Sequence, residues 1–133
     1  MNMTFEDLSA LAESRYGEAF ASGGENVFSL SVEAGPVEFF RAAGDPAAAV
    51  VRAKVLDLAD VPRAGDFAKA ALAGNFFWGG TRGATLSVGA DNALYVTERR
   101  PLDELCDSDG IAQCLDEFSD TIFDWRERSA LYA

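Results

Sequence analysis

The sequence predicts an α+β domain with the element order α-β-β-β-α-β-β-α. Two end segments repeat apolar residues every three or four positions, as amphipathic helices do. Between them, short segments of alternating apolar and polar residues are separated by Gly, Pro, Asp and Asn, a pattern typical of antiparallel strands joined by tight turns. An alanine-rich segment after Pro62 predicts the middle helix. We therefore expect a twisted antiparallel sheet with helices packed on it.

The composition is that of one folded domain spanning residues 1–133. The chain is 49% hydrophobic and 11% aromatic, which is enough for a core. Its formal net charge of −11 would repel phosphate backbones and anionic lipid headgroups. We therefore expect no nucleic-acid partner and no membrane partner.

The first ten residues, MNMTFEDLSA, contain neither a basic segment followed by an apolar one nor a membrane-length apolar run. This predicts a cytoplasmic protein. Cys106 and Cys114 form no disulfide framework and are expected to be reduced thiols. The chain contains no histidine, which removes the commonest general base and the commonest metal ligand.

Thr4 is expected to cap the first helix, which should run to about Tyr16 or Phe20. Phe5, Leu8 and Ala12 share one face with Tyr16. That face either packs into the core or remains partly exposed and receives a segment of a partner.

Three strands should follow as a meander, at residues 27–32, 37–42 and 49–58. In the second of these, Val37 and Phe39 lie on one face, whereas Glu38 and Phe40 lie on the other.

Asp66 is the expected N-cap of the second helix, FAKAALAGNFF. Its small residues, Ala70, Ala71 and Gly74, allow close packing either on the sheet or on a second copy of the chain. A glycine loop then leads to a hairpin with strands at residues 84–88 and 94–98.

The last helix is expected to begin after a cap at Ser108 or Asp109. Apolar residues recur in it at spacings of four and three, namely Ile111, Leu115, Phe118, Ile122 and Trp125. Residues 129–133 are expected to fray.

No catalytic constellation emerges from the pattern. The segment GGTRG lacks the Lys-Ser/Thr ending of a phosphate loop, and the acids at positions 103–109 lack the calcium-loop spacing. Phe76, Phe77 and Trp78 are consecutive large apolar residues that no single face of a helix or strand can bury together. These observations favour a protein-binding module that associates with itself or with a client.

Residues 62–128 resemble the type III secretion chaperones of the Tir-chaperone (CesT) class. The resemblance lies in an alanine/leucine-rich second helix ending in Asn75-Phe76, a glycine loop, an Ala-Thr-Leu strand at 84–86, and a turn containing Asp91. It continues in Arg99-Arg100 before Pro101-Leu102, and in the closing Trp-Arg-Glu at 125–127. Before residue 62 it rests on element order alone.

The resemblance implies a non-catalytic homodimer, without a cofactor or metal, that holds the N-terminal chaperone-binding region of a secreted effector in extended form. It places the dimer interface on the second helix and the strands after it. The residues assigned there are Phe67, Ala71, Leu72, Phe76 and Trp78. Grooves for the effector would use the first helix and the meander. The residues assigned to them are Phe5, Leu8, Phe28, Val37, Phe39 and Phe40.

Two other functions fit the same elements. A small α+β cone-fold enzyme or ligand carrier would enclose a pocket under its curved sheet, with at least one isolated buried acid. A regulatory adaptor of the chaperone fold would bind a transcription factor or another chaperone in place of an effector.

Overall fold

A computed structural model describes residues 3–76 and 80–133, and in this part the predicted α+β class is confirmed. The three α-helices of these ranges are α1 (Phe5–Tyr16), α2 (Ala64–Gly74) and α3 (Ser108–Ser129). The six strands are β1 (Phe20–Ser22), β2 (Val27–Val32), β3 (Gly35–Arg41), β4 (Ala48–Asp57), β5 (Thr85–Val88) and β6 (Ala93–Pro101).

The strands form one antiparallel sheet in the order β1-β2-β3-β4-β6-β5. The first four strands follow chain order, and the later hairpin joins β4 through β6, which leaves β5 at the edge. The register places Ala53 opposite Val96, and Val96 opposite Leu86. Directly opposite residues share a face, so this register keeps the apolar side chains of neighbouring strands together.

All three helices contribute to the core, which lies on one face of the sheet. The buried side chains there include Phe28, Phe39 and Val51 from the strands, with Leu8 from α1 and Trp125 from α3. The opposite face carries alternate residues that are only partly buried, as the period of two predicts for Phe40 and Glu38. That open face is available for contacts outside the chain.

Several predicted boundaries were wrong. The strand β1 was missed, because three residues are too few to show an alternation. The helix α2 begins at Ala64, so Asp66 lies in its first turn and does not cap it. The cap of α3 is Asp107, whose side chain accepts a hydrogen bond of 2.8 Å from the amide of Gly110.

The prediction that residues 129–133 fray was also wrong, since contacts with α2 and the residue before it hold the C-terminus in place. Residues Ala130–Tyr132 form a short 3₁₀ turn. The Tyr132 ring lies 5.4 Å from that of Phe67, and its carbonyl accepts a 2.9 Å hydrogen bond from the amide of Arg63. At the other end of the chain, the predicted cap is confirmed, since the Thr4 hydroxyl accepts from the Asp7 amide and the Asp7 carboxylate accepts from the Thr4 amide.

Candidate protein-binding surfaces

Aromatic side chains connect α1 to the first three strands, which together form what we call the meander end. The ring of Phe28 stacks on Phe20 at 5.5 Å and on Phe39 at 4.9 Å between centroids. Phe5, from α1, lies 5.6 Å from the same Phe28 ring. These four rings let α1 pack on the sheet through contacts that are mostly apolar.

The six residues predicted to contact an effector do not share one environment. Five of them are buried in the core of the chain, namely Phe5, Leu8, Phe28, Val37 and Phe39. Phe40 is partly buried on the open face of the sheet. Of the six, Phe40 is therefore the residue that a partner could reach, and the other five lie beneath the surface. The assignment of these residues to effector contacts stays a prediction.

A shallow groove of ≈ 430 Å³ runs between α1 and the turn after β1. Arg41 borders it, with its guanidinium 5.1 Å from the Phe5 ring. The same guanidinium donates to the side chain of Asn26 and to the carbonyl of Glu25, both at 3.1 Å, and it pairs with Glu6. The hydrogen bond from Arg41 lowers the pKa of the Glu6 carboxyl. The sequence analysis missed Arg41, because an arginine at a strand end has the pattern of an ordinary solvated charge.

A second concavity, of ≈ 690 Å³, lies on the open face over β3, β4 and the β5-β6 hairpin. Arg52 is central to it, with its guanidinium 4.9 Å from the Phe40 ring and 5.0 Å from the Tyr95 ring. Glu38, opposite Arg52 in the register, accepts two hydrogen bonds from it at 3.1 and 2.9 Å. Val50 and Thr97 complete an amphipathic surface. It offers ring faces and methyl groups to an extended segment.

The residues predicted for the dimer interface divide into two groups. Phe67 and Ala71 lie on the buried side of α2, where the Phe67 ring is 6.0 Å from the Trp125 ring. Leu72 is 66% exposed and Phe76 is 76% exposed. Trp78 lies outside the described residues. Val88, on β5 next to α2, is 48% exposed and was not predicted, although an apolar residue at the end of an edge strand is a recognisable signal.

Two titratable groups outside these surfaces, Cys114 and Arg100, are buried next to each other. Burial raises the pKa of the Cys114 thiol to about 12, despite the neighbouring Arg100 guanidinium. Arg100 itself pairs with Glu98 and Glu117. Among residues 3–76 and 80–133, no three acidic or cysteine side chains are grouped as metal ligands, and no helix is long and apolar enough to cross a membrane.

The geometry thus consists of a groove, an amphipathic sheet face and an exposed apolar helix side, all suited to protein contacts. The family model of the Tir chaperone protein (CesT) family matches residues 10–126, which is most of the chain. The chain belongs to the CesT family. This confirms the predicted family of type III secretion chaperones. The match includes the whole of the meander, α2 and the β5-β6 hairpin, whereas Phe5 and Leu8 precede it.

The CesT-type fold is also found in a solved structure described as the HopA1-SchA chaperone-effector complex. The superposition has a TM-score of 0.67 at 11% sequence identity, and it covers 92% of this chain and 91% of the other. At that identity the likeness shows a shared fold. Comparison with curated proteins gives no significant match.

Proposed function

We propose that this CesT-family chain is a homodimeric chaperone that binds the N-terminal chaperone-binding region of an effector in extended form. In that form the effector stays soluble and competent for secretion. The observation that carries the proposal is the family match over residues 10–126, which covers the meander and the α2 surface. The net charge of −11 suits the role, because like-charged complexes repel one another and stay dispersed.

The effector would bind at α1, the meander and the adjacent open sheet face. An extended segment can pair with a strand edge through its backbone while alternate side chains enter neighbouring depressions. The groove beside Arg41 and the concavity around Arg52 are such depressions. In this arrangement Phe40 touches the effector. The buried residues assigned above, Phe5, Leu8, Phe28, Val37 and Phe39, would shape the surface from beneath.

The dimer would form through α2 and the strand that follows it. Leu72 presents apolar surface on the outer side of α2, Phe76 presents more just after the helix ends, and Val88 adds to it on β5. Burying such side chains against a second copy removes them from water, which favours association by about 25 cal/mol per Å². Phe67 and Ala71 would support the interface by holding α2 on the core, and we keep Trp78 in the proposed interface.

Association of the chain with itself can be tested by light scattering. A dimer of the 14.2 kDa chain is expected, and Leu72→Asp should shift it to monomer, because a carboxylate would be buried without a partner. Phe123→Asp is the matched control, since Phe123 is also exposed but lies on α3. A wild-type monomer, or a Leu72→Asp dimer as stable as the wild type, would refute the proposed interface.

Effector binding can be tested by co-expressing the chain with candidate secreted proteins, the products of neighbouring genes first. The N-terminal segment of one such protein should co-purify and resist protease only in the complex. Phe40→Glu should weaken the complex and leave the circular dichroism spectrum unchanged, whereas Phe39→Glu should unfold the domain, because Phe39 is fully buried. Co-purification of a transcription factor or another chaperone in place of the effector would favour the adaptor function.

A further inference from the structure

The outer edge of β5 is covered by a side chain that imitates a neighbouring strand. The Asn75 side-chain amide donates a 2.9 Å hydrogen bond to the carbonyl of Leu86, and its oxygen accepts a 2.8 Å hydrogen bond from the Leu86 amide. Leu86 lies opposite Val96 of β6. The amide and the carbonyl of Leu86 are both hydrogen-bonded to the Asn75 side chain. They therefore point away from β6 and toward the outer edge of the sheet.

The same edge is closed two residues earlier. The amide of Ala84 donates a 3.2 Å hydrogen bond to the carbonyl of Thr81, and the Thr81 hydroxyl donates to the carbonyl of Ala84. Residues two apart in a strand present their backbone groups to the same side. An incoming strand would therefore find two successive positions of this edge already hydrogen-bonded.

Close packing on α3 holds Asn75 in place. Asn75 is the C-terminal cap of α2, and a Cβ at the preceding Gly74 would lie 2.6 Å from the Trp125 ring. The Trp125 indole donates a 2.9 Å hydrogen bond to the carbonyl of Gly80, whose amide donates at 3.1 Å to the carbonyl of Gly74. The absence of a side chain at Gly74 thus lets α2 end against β5, within reach of Leu86.

The opposite edge of the sheet is closed at one position and open at the next. The amide of Gly23 donates a 2.9 Å hydrogen bond to the carbonyl of Val27, so Phe20 and Ser22, at alternate positions, point their backbone groups away from β2. The amide of Phe20 donates to the carbonyl of Gly17, whereas Ser22, whose side chain is exposed, presents its amide and carbonyl at the edge. Among the described residues no strand pairs with the outer side of β1.

We propose that Asn75 determines which edge of the sheet an effector can extend. By occupying Leu86, it excludes strand addition at β5 and confines it to β1, beside α1. This inference rests on the proposed function, in that an extended effector segment is the strand to be added. Asn75 acts as a specificity-determining residue without touching the effector.

The closure of β5 can be tested on the chain alone. In Asn75→Ala, amide exchange at Leu86 should speed up by about tenfold, the effect of losing one hydrogen bond of ordinary strength, while that at Val96 is unchanged. Light scattering should show concentration-dependent assembly beyond the wild-type state, because the exposed edges of two copies can pair. Asn75→Asp, which keeps the acceptor and loses the donor, should assemble less.

Thr85→Ala is the matched control, since it alters a β5 side chain on the open face and leaves the edge bonds intact. It should behave as the wild type does. If Asn75→Ala shows faster exchange at Leu86 but keeps the wild-type mass at every concentration, the proposal is overturned. The edge of β5 would then be open and would still not pair with another strand.

The choice of edge can be tested with the co-purified effector segment. Complex formation should protect the Ser22 amide in the wild type, and in Asn75→Ala it should also protect the Leu86 amide, which the substitution exposes. Protection at Leu86 or Val88 in the wild-type complex would overturn the proposal. If no complex forms, the proposed function fails, whereas the assembly of Asn75→Ala alone still decides whether Asn75 closes β5.

Discussion

The two ends of the sheet are held together by different interactions. At the meander end, α1 is joined to β1, β2 and β3 by stacked rings around Phe28. At the β5 end, polar side chains bind backbone groups. Trp125 donates to Gly80, and the Asn75 amide binds Leu86. Between the two ends, Arg126 of α3 donates to the carbonyls of Val55 in β4 and of Ala34 in the β2-β3 turn, at 2.6 and 2.7 Å.

This difference bears on how each end responds to a partner. Ring contacts lose little when the rings slide by a fraction of an ångström, because dispersion attraction is non-directional. Hydrogen bonds to backbone carbonyls weaken steeply when their angles change. Under the proposed function, this difference would let the meander end adjust to effectors of different sequence, and it would suit the β5 end to an interface between identical copies.

The largest predicted effect comes from removing the side chain that fixes the β5 end. Trp125→Ala should lower the free energy of unfolding by about 3–5 kcal/mol, because it leaves a cavity against Phe67 and frees the carbonyl of Gly80. Urea unfolding followed by circular dichroism measures it. Phe123→Ala, at an exposed position on the same helix, should cost much less. Equal losses in the two variants would show that Trp125 has no special role.

Arg126 should have the next largest effect. Arg126→Met keeps most of the aliphatic stem but leaves two backbone carbonyls of buried residues without their charged donor, which should cost about 2 kcal/mol. Arg99→Met is the control, because Arg99 pairs with the Asp45 carboxylate at the surface. If the two variants lose the same stability, the bonds to Val55 and Ala34 contribute no more than a surface ion pair does.

A conservative change at the meander end should be tolerated better. Phe28→Leu keeps an apolar side chain of similar size among adaptable ring contacts, so we expect a loss of about 1 kcal/mol with an unchanged fold. Urea unfolding gives the loss, and the near-ultraviolet spectrum reports whether the remaining rings keep their packing. A loss as large as that of Trp125→Ala would contradict the contrast between the ends.

The periodic elements could be predicted from the sequence, because each carries its own signal. The apolar spacing of α3 and the alternation of β2 are local patterns, and Thr4 was recognised as a cap because such a residue before an apolar run is a start signal. By contrast, β1 is too short for a pattern. Asp107 was passed over because Ser108 and Asp109 beside it are equally good capping residues.

The candidate surfaces were harder to predict, for a physical reason. Phe39 and Phe40 are chemically identical neighbours, and only the side on which the helices pack makes one core and the other surface. The bonds of Arg41 to Glu6 and of Arg126 to Ala34 join residues 35 and 92 positions apart. No local pattern predicts such pairs, because they depend on the completed fold.

The smallest predicted effect lies at the edge of the meander end, in the pair between Arg41 and Glu6. The hydrogen bond from Arg41 lowers the pKa of Glu6, so its contribution is present above the unfolded value of 4.5 and is lost as the pH falls through the lower folded value. Glu6→Gln should therefore be slightly less stable than the wild type at pH 7, and the two should converge in acid and in high salt. Urea unfolding of both proteins at each condition measures this. Equal stability of the two proteins at pH 7 would mean that Arg41 holds the groove through the Phe5 ring and Asn26, and that this surface charge pair does not stabilise the meander end.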